Sequence, residues 1–98
     1  MQASLVGVTW YRPQDYARLK AMFPDGARLP DTFEGWLKSA LNVCDKLTSE
    51  GFVLVKAYID PDTFPEWCRS HGTEMDAKAR ANFANDFAAH TTPRQELE

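Results

Sequence analysis

Only two segments of the sequence have β-type composition, Leu5-Val6-Gly7-Val8-Thr9-Trp10-Tyr11 and Phe52-Val53-Leu54-Val55-Lys56-Ala57-Tyr58-Ile59. Both are rich in β-branched and aromatic residues and bounded by turn or cap residues, while the segments between and after them carry helical periodicity. Two strands make a marginal sheet that must bury an apolar face under helices, so this imbalance constrains the chain more than any other feature. A length of 98 residues leaves room for one core, and an aromatic content of 12% supplies much of its burial. The expected fold class is α+β, in the order β-α-α-β-α-α: a two-stranded sheet packed against four helices and open to extension in a dimer. Residues 1–90 form the single domain in this reading, and 91–98 form a polar C-terminal tail.

The first helix is predicted from Pro13 to Met22 or Phe23, with proline at the first helical position and Tyr16, Leu19 and Phe23 on one face. The second should begin at Asp31 or Thr32, because Asp31 and Glu34 have capping-box spacing. Its apolar stripe reads Phe33, Trp36, Leu37, Ala40, Leu41, Cys44 and Leu47, with Gly51 as the residue that ends it. A third, short helix is expected from Pro61, capped by Asp60, burying Phe64, Trp67 and Cys68 and closed by Gly72. The fourth spans about 76–89, with Met75, Ala79, Phe83 and Phe87 inward and Asp76–Arg80 as an oriented surface pair. Strand orientation is left open, since a helical hairpin connection permits both.

Pro30-Asp-Thr-Phe33-Glu-Gly-Trp36 and Pro61-Asp-Thr-Phe64-Pro-Glu-Trp67 share the pattern PDTFxxW, and Pro13-Gln-Asp-Tyr16-Ala-Arg-Leu19 has the same skeleton. The offset between the strands differs from that between these blocks, so the pattern reads as one way of starting a helix used three times rather than as a duplicated unit. These blocks, with Trp10-Tyr11-Arg12-Pro13-x-Asp15-Tyr16 and Asp76-Ala77-Lys78-Ala79-Arg80-x-x-Phe83-Ala84, resemble a family of small bacterial proteins of about 100 residues with no assigned activity. The likeness spans nearly the whole chain. It implies a bacterial, cytoplasmic, stand-alone domain and carries over no catalytic or binding residue.

A formal net charge of −3 without a basic run disfavours nucleic acid and anionic lipid as partners. No apolar stretch approaches the roughly 20 residues needed to cross a bilayer, and Met1 to Val8 lacks the basic start of a signal peptide. The two cysteines, Cys44 and Cys68, do not make a disulfide scaffold, and free thiols in the cytoplasm are the simpler setting. Cys68 and His71 have C-x-x-H spacing that Cys44 and His90 would have to complete for zinc, but both cysteines lie on apolar helical stripes, so no metal is expected. The acidic pairs Asp60/Asp62 and Asp31/Glu34 stand at helix starts, where capping accounts for them. No nucleophile elbow or phosphate-cradling glycine loop is present, so neither catalysis nor a cofactor is expected.

The strands carry the functional expectation. By the period of two, Val6, Val8 and Trp10 share one face of the first run and Leu5, Gly7, Thr9 and Tyr11 the other. In the second, Val53, Val55, Ala57 and Ile59 oppose Phe52, Leu54, Lys56 and Tyr58. The purely apolar side should lie under the helices. The mixed side should remain available to a protein partner, itself or another, with Tyr11, Phe52, Leu54 and Tyr58 as anchors and Arg12 and Lys56 setting register by charge. The expectation is therefore a non-catalytic protein-interaction module, homodimeric or docked on a larger bacterial or phage assembly. Two rival readings are a ligand-binding protein or enzyme with a pocket near Trp10, Tyr11 and His71, and an acidic mimic of nucleic acid. The second rests on a local balance of −4 between Ala57 and Asp76.

Overall fold

A computed structural model describes residues 4–90; the polar tail at 91–98 lies outside them. Strand β1 (Leu5–Trp10) leads into α1 (Pro13–Met22), a single 3₁₀ turn (Gly26–Arg28) and α2 (Phe33–Ser49). Then come β2 (Val53–Tyr58), α3 (Phe64–Ser70) and α4 (Ala77–His90). This is the expected α+β order, four helices around a two-stranded sheet. The strands are parallel, pairing Leu5 with Val53 through to Trp10 with Tyr58.

The parallel register decides which side chains share a face. Leu5, Gly7 and Thr9 lie beside Val53, Val55 and Ala57, and Val6, Val8 and Trp10 lie beside Leu54, Lys56 and Tyr58. The grouping expected from composition, valines with valines, is therefore corrected. Each face receives one apolar strand half and one mixed half, and helices approach both. Helix α4 lies on the Gly7 face, where the Thr9 hydroxyl donates to the Arg80 carbonyl at 3.3 Å. On the opposite face α2 brings Trp36 to Trp10, ring centroids 5.0 Å apart and near perpendicular.

Gly7 explains how α4 comes so close. A Cβ there would lie 1.9 Å from the Ala84 carbonyl oxygen, so only glycine lets the helix backbone meet the strand. The buried residues of α4 are accordingly the small Ala79, Ala84 and Ala88, together with Arg80, while Phe83 is half-buried and Phe87 exposed. The expected inward stripe through Phe83 and Phe87 is thus rotated, because a helix seated on a glycine presents its smallest side.

The core gathers at the C-terminal ends of the strands. Tyr11 touches Tyr16, Phe23 and Trp36, Phe33 meets Trp36, and Phe64 meets Phe23 and Phe83. Leu19, Ile59 and Phe64 are the largest fully buried side chains. Such aromatic contacts contribute about 0.5–1.5 kcal/mol each beyond the area they bury. The Tyr16 hydroxyl donates to the Pro30 carbonyl at 2.6 Å, tying α1 to the loop before α2.

Local chemistry differs from expectation at the helix starts. Thr32, not Asp31, caps α2, its hydroxyl oxygen accepting the Gly35 N–H at 3.0 Å. Asp31 is fully exposed, at the limit of reach from Lys20. Thr32→Ala is expected to cost about 1 kcal/mol in urea denaturation and Asp31→Ala about 0.5 kcal/mol or less; the reverse order would overturn the assignment. In both copies of PDTFxxW the threonine stands at the N-cap, the phenylalanine begins the helix and the tryptophan packs on it one turn later. Helix α3 thus starts at Phe64, three residues later than expected, because Asp60 spends its carboxylate on the Asp62 N–H at 2.8 Å in a preceding turn. In α1 the proline itself is the first helical residue. Gly51, at φ +95°, ends α2 as expected, and Gly72 ends α3 likewise.

Arg80 is the largest departure. Read as a surface partner of Asp76, it is 5% exposed and pairs instead with Asp25, at 2.9 and 2.8 Å through two parallel hydrogen bonds. Its guanidinium also donates to the Met75 carbonyl and lies 4.1 Å over the Phe23 ring. Asp76 instead caps α4 through the Ala79 N–H at 2.9 Å.

Candidate docking site

The residues proposed for docking scatter in burial. Tyr11 is 4% exposed and belongs to the aromatic core, which corrects its place among the anchors. It follows the last residue of β1, so the chain has left the strand and its ring turns in among Tyr16, Phe23 and Trp36. Burial raises the pKa of its phenol, and the neighbouring Arg80 guanidinium offsets part of that rise. Phe52 and Leu54 are half-buried, Lys56 is exposed and Tyr58 is 42% exposed. Arg12 is half-buried, its guanidinium 4.8 Å from the centre of the Tyr58 ring and 3.6 Å from the Asp15 carboxylate. Lys56 reaches back across the sheet to place its ammonium 4.3 Å over the Trp10 ring.

The backbone of β2 supplies what the side chains alone do not. The Val53 N–H donates to the Ser4 carbonyl and the Ile59 N–H to the Trp10 carbonyl, each at 2.9 Å, so the odd-numbered residues of β2 face β1. The even-numbered ones, Leu54, Lys56 and Tyr58, point their N–H and C=O groups away from β1. Among the described residues no further backbone or side-chain hydrogen bond meets those groups. The outer edge of β2 is open, and its exposed side chains lie on both faces of the sheet.

Four exposed apolar residues escaped the sequence reading. Val53, assigned to the sealed face, is 46% exposed, because α4 lies mainly along β1. Leu41 and Val43 are exposed on α2, and Phe87 on α4. Gly7 opposes Ala84 while Thr9 opposes Arg80, so α4 runs antiparallel to β1. The C-terminal half of α4 therefore lies toward the start of the strands, where the turn from Leu47 to Phe52 also closes α2. The aromatic core fills the C-terminal end of the sheet, while Val53 and Phe87 are exposed toward its start.

The alternative sites were traced in the same way. Trp10 and Tyr11 are core residues, whereas His71 stacks on Trp67 at 4.0 Å beside an open cleft of about 330 Å³ that Thr73, Asn82 and Asp86 also line. The structure does not combine Trp10, Tyr11 and His71 into one pocket. A second open cleft, about 480 Å³, is lined by Met22, Cys68, Arg69, Glu74 and Met75 among others. Burial pushes the Cys68 thiol up, away from the thiolate a nucleophile requires. Four of the five carboxylates of the acidic segment are engaged: Asp60 in the turn before α3, Asp76 in capping α4, Asp62 with Arg18, and Glu66 with Arg69. This dispersal leaves the nucleic-acid-mimic reading without an acidic surface.

Fold and edge together define a small α+β protein whose two-stranded parallel sheet keeps an open side. Compared with protein families, curated proteins and solved structures, the chain matches none.

Proposed function

We propose that this protein is a non-catalytic interaction module that docks by accepting a strand along the outer edge of β2. The observation that carries the reading is the row of unpaired N–H and C=O groups at Leu54, Lys56 and Tyr58, beside exposed Val53 and Tyr58. Such an edge is a template for strand addition: main-chain hydrogen bonds give affinity and the alternate side chains give selectivity. On one face Phe52, Leu54 and Tyr58 offer apolar contact, with Lys56 and Arg12 adding positive charge above it.

Lys56→Pro tests this without touching the fold's own ladder, since the N–H it removes points outward and β2 is extended there. Tagged wild-type and Lys56→Pro chains, with matching far-UV circular dichroism, are used for affinity purification from the native cells. Wild type should retain a stoichiometric partner, whether a second copy or another protein, that Lys56→Pro loses. Equal retention by both chains would sink the reading.

A further inference from the structure

We infer that the strand accepted by β2 is β2 of a second copy, paired antiparallel about a two-fold axis at Val55, so that two chains form one four-stranded sheet. This rests on the edge-docking reading and adds the partner and the register.

Two identical edges related by a two-fold axis can pair only antiparallel, and outward-facing residues then meet outward-facing residues. Four axes pair three or more residues of β2 with their copies, at Leu54, Val55, Lys56 and Ala57, and the last pairs only Lys56 to Tyr58 before the strand ends. An axis at Leu54 pairs only Val53 to Val55 before running into Glu50 and Gly51, where the backbone leaves the extended form at φ +95°. An axis at Lys56 keeps a longer pairing but sets two lysines directly opposite, a like-charge contact that destabilises. An axis at Val55 keeps Val53 to Ala57 paired and places each Lys56 opposite Leu54 of the other copy rather than opposite a second lysine. It also sets Phe52 against Tyr58 at both ends of one face. On the other face Val55 meets Val55 and exposed Val53 meets the small Ala57.

Charge agrees with this register. Arg12 sits over the Tyr58 ring, and Tyr58 meets Phe52 of the second copy, two residues beyond the exposed acid Glu50. Positive charge at one end of each strand thus approaches negative charge at the start of the other. A lysine in mid-edge ordinarily discourages pairing. Here its ammonium is drawn back over Trp10, 4.3 Å from the ring centre and toward β1, which clears the edge. The product is a sheet of the usual size built from one of marginal size.

The purified full chain should sediment as a dimer. Lys56→Pro removes two intermolecular hydrogen bonds by symmetry and should raise the dissociation constant about a hundredfold. Register is read by disulfide capture in a Cys44→Ser background with oxidised glutathione as electron acceptor. Val55→Cys should cross-link readily, because facing residues at a non-hydrogen-bonded site lie about 4.5 Å apart at Cα. Leu54→Cys and Lys56→Cys, which report the axes at Leu54 and Lys56, should lag behind it. Faster capture at 54 or 56, or a dimer that survives Lys56→Pro unchanged, overturns the inference. A chain that stays monomeric at every concentration overturns it too. In that case the native-cell purification still separates an edge that takes a different protein from an edge that takes none.

Discussion

Asp25→Ala is expected to destabilise the fold by about 3–5 kcal/mol, a large share of the roughly 5–15 kcal/mol a domain of this size commands. The reason is the group left behind. Arg80 is anchored in α4 with its side chain 7% exposed, and without Asp25 its guanidinium keeps neutral partners, the Met75 carbonyl, the Tyr11 side chain and the Phe23 ring, but no carboxylate. Arg80→Met should cost less, because the orphaned Asp25 side chain is 27% exposed and can hydrate, and because methionine refills part of the volume. Urea denaturation followed by circular dichroism measures both. A loss below about 1 kcal/mol for Asp25→Ala would show that the pair is dispensable.

The same pair fixes a pH dependence. The hydrogen bonds from Arg80 hold the Asp25 carboxyl below its ordinary value, with partial burial opposing and the charges of Arg80 and Arg28 assisting. A folded-state pKa below the unfolded one contributes stability that is complete above the unfolded value, about 3.9, and is lost as pH falls through the folded one. The urea midpoint of wild type should therefore drop on acidification below about pH 4, and part of that drop should be missing in Asp25→Ala. Parallel acid limbs would mean that other carboxylates govern the transition.

Gly7→Ala is the second change with a large expected effect. Its Cβ would overlap the Ala84 carbonyl oxygen and carbon, at 1.9 and 2.4 Å, and these are backbone atoms of a helix that cannot swing aside as a side chain can. Helix α4 would have to lift from β1, opening the contact that covers one face of the sheet. A loss of about 3 kcal/mol, at the upper end for overpacking, is expected in thermal or urea unfolding. A loss of about 1 kcal/mol or less, the ordinary difference for glycine against alanine in a strand, would show that α4 yields easily.

The parts legible in sequence were those governed by neighbours along the chain. The two β-type runs, the proline that begins α1, Gly51 after α2 and the paired PDTFxxW segments each depend on local geometry, and each element formed close to where its residues required. The placement of the residues proposed for docking was half legible. Alternation placed Leu54, Lys56 and Tyr58 on one face correctly, yet could not say that Trp10 and Val8 would lie beside them, since that follows from the parallel register. Nor could it say that Tyr11, one residue past β1, would turn into the core.

What the sequence by itself determined is the inventory: two short strands, four helices, an aromatic-rich interior and no excess of positive charge. Tertiary structure alone decided that the strands run parallel, that Arg80 abandons its neighbour Asp76 for Asp25, and that α4 lies on Gly7 with its alanines rather than its phenylalanines. The physical reason is range. Caps, turns and helical stripes are set by interactions within a few residues, whereas a buried ion pair, a strand register and a helix seat depend on which distant surfaces meet when water is excluded.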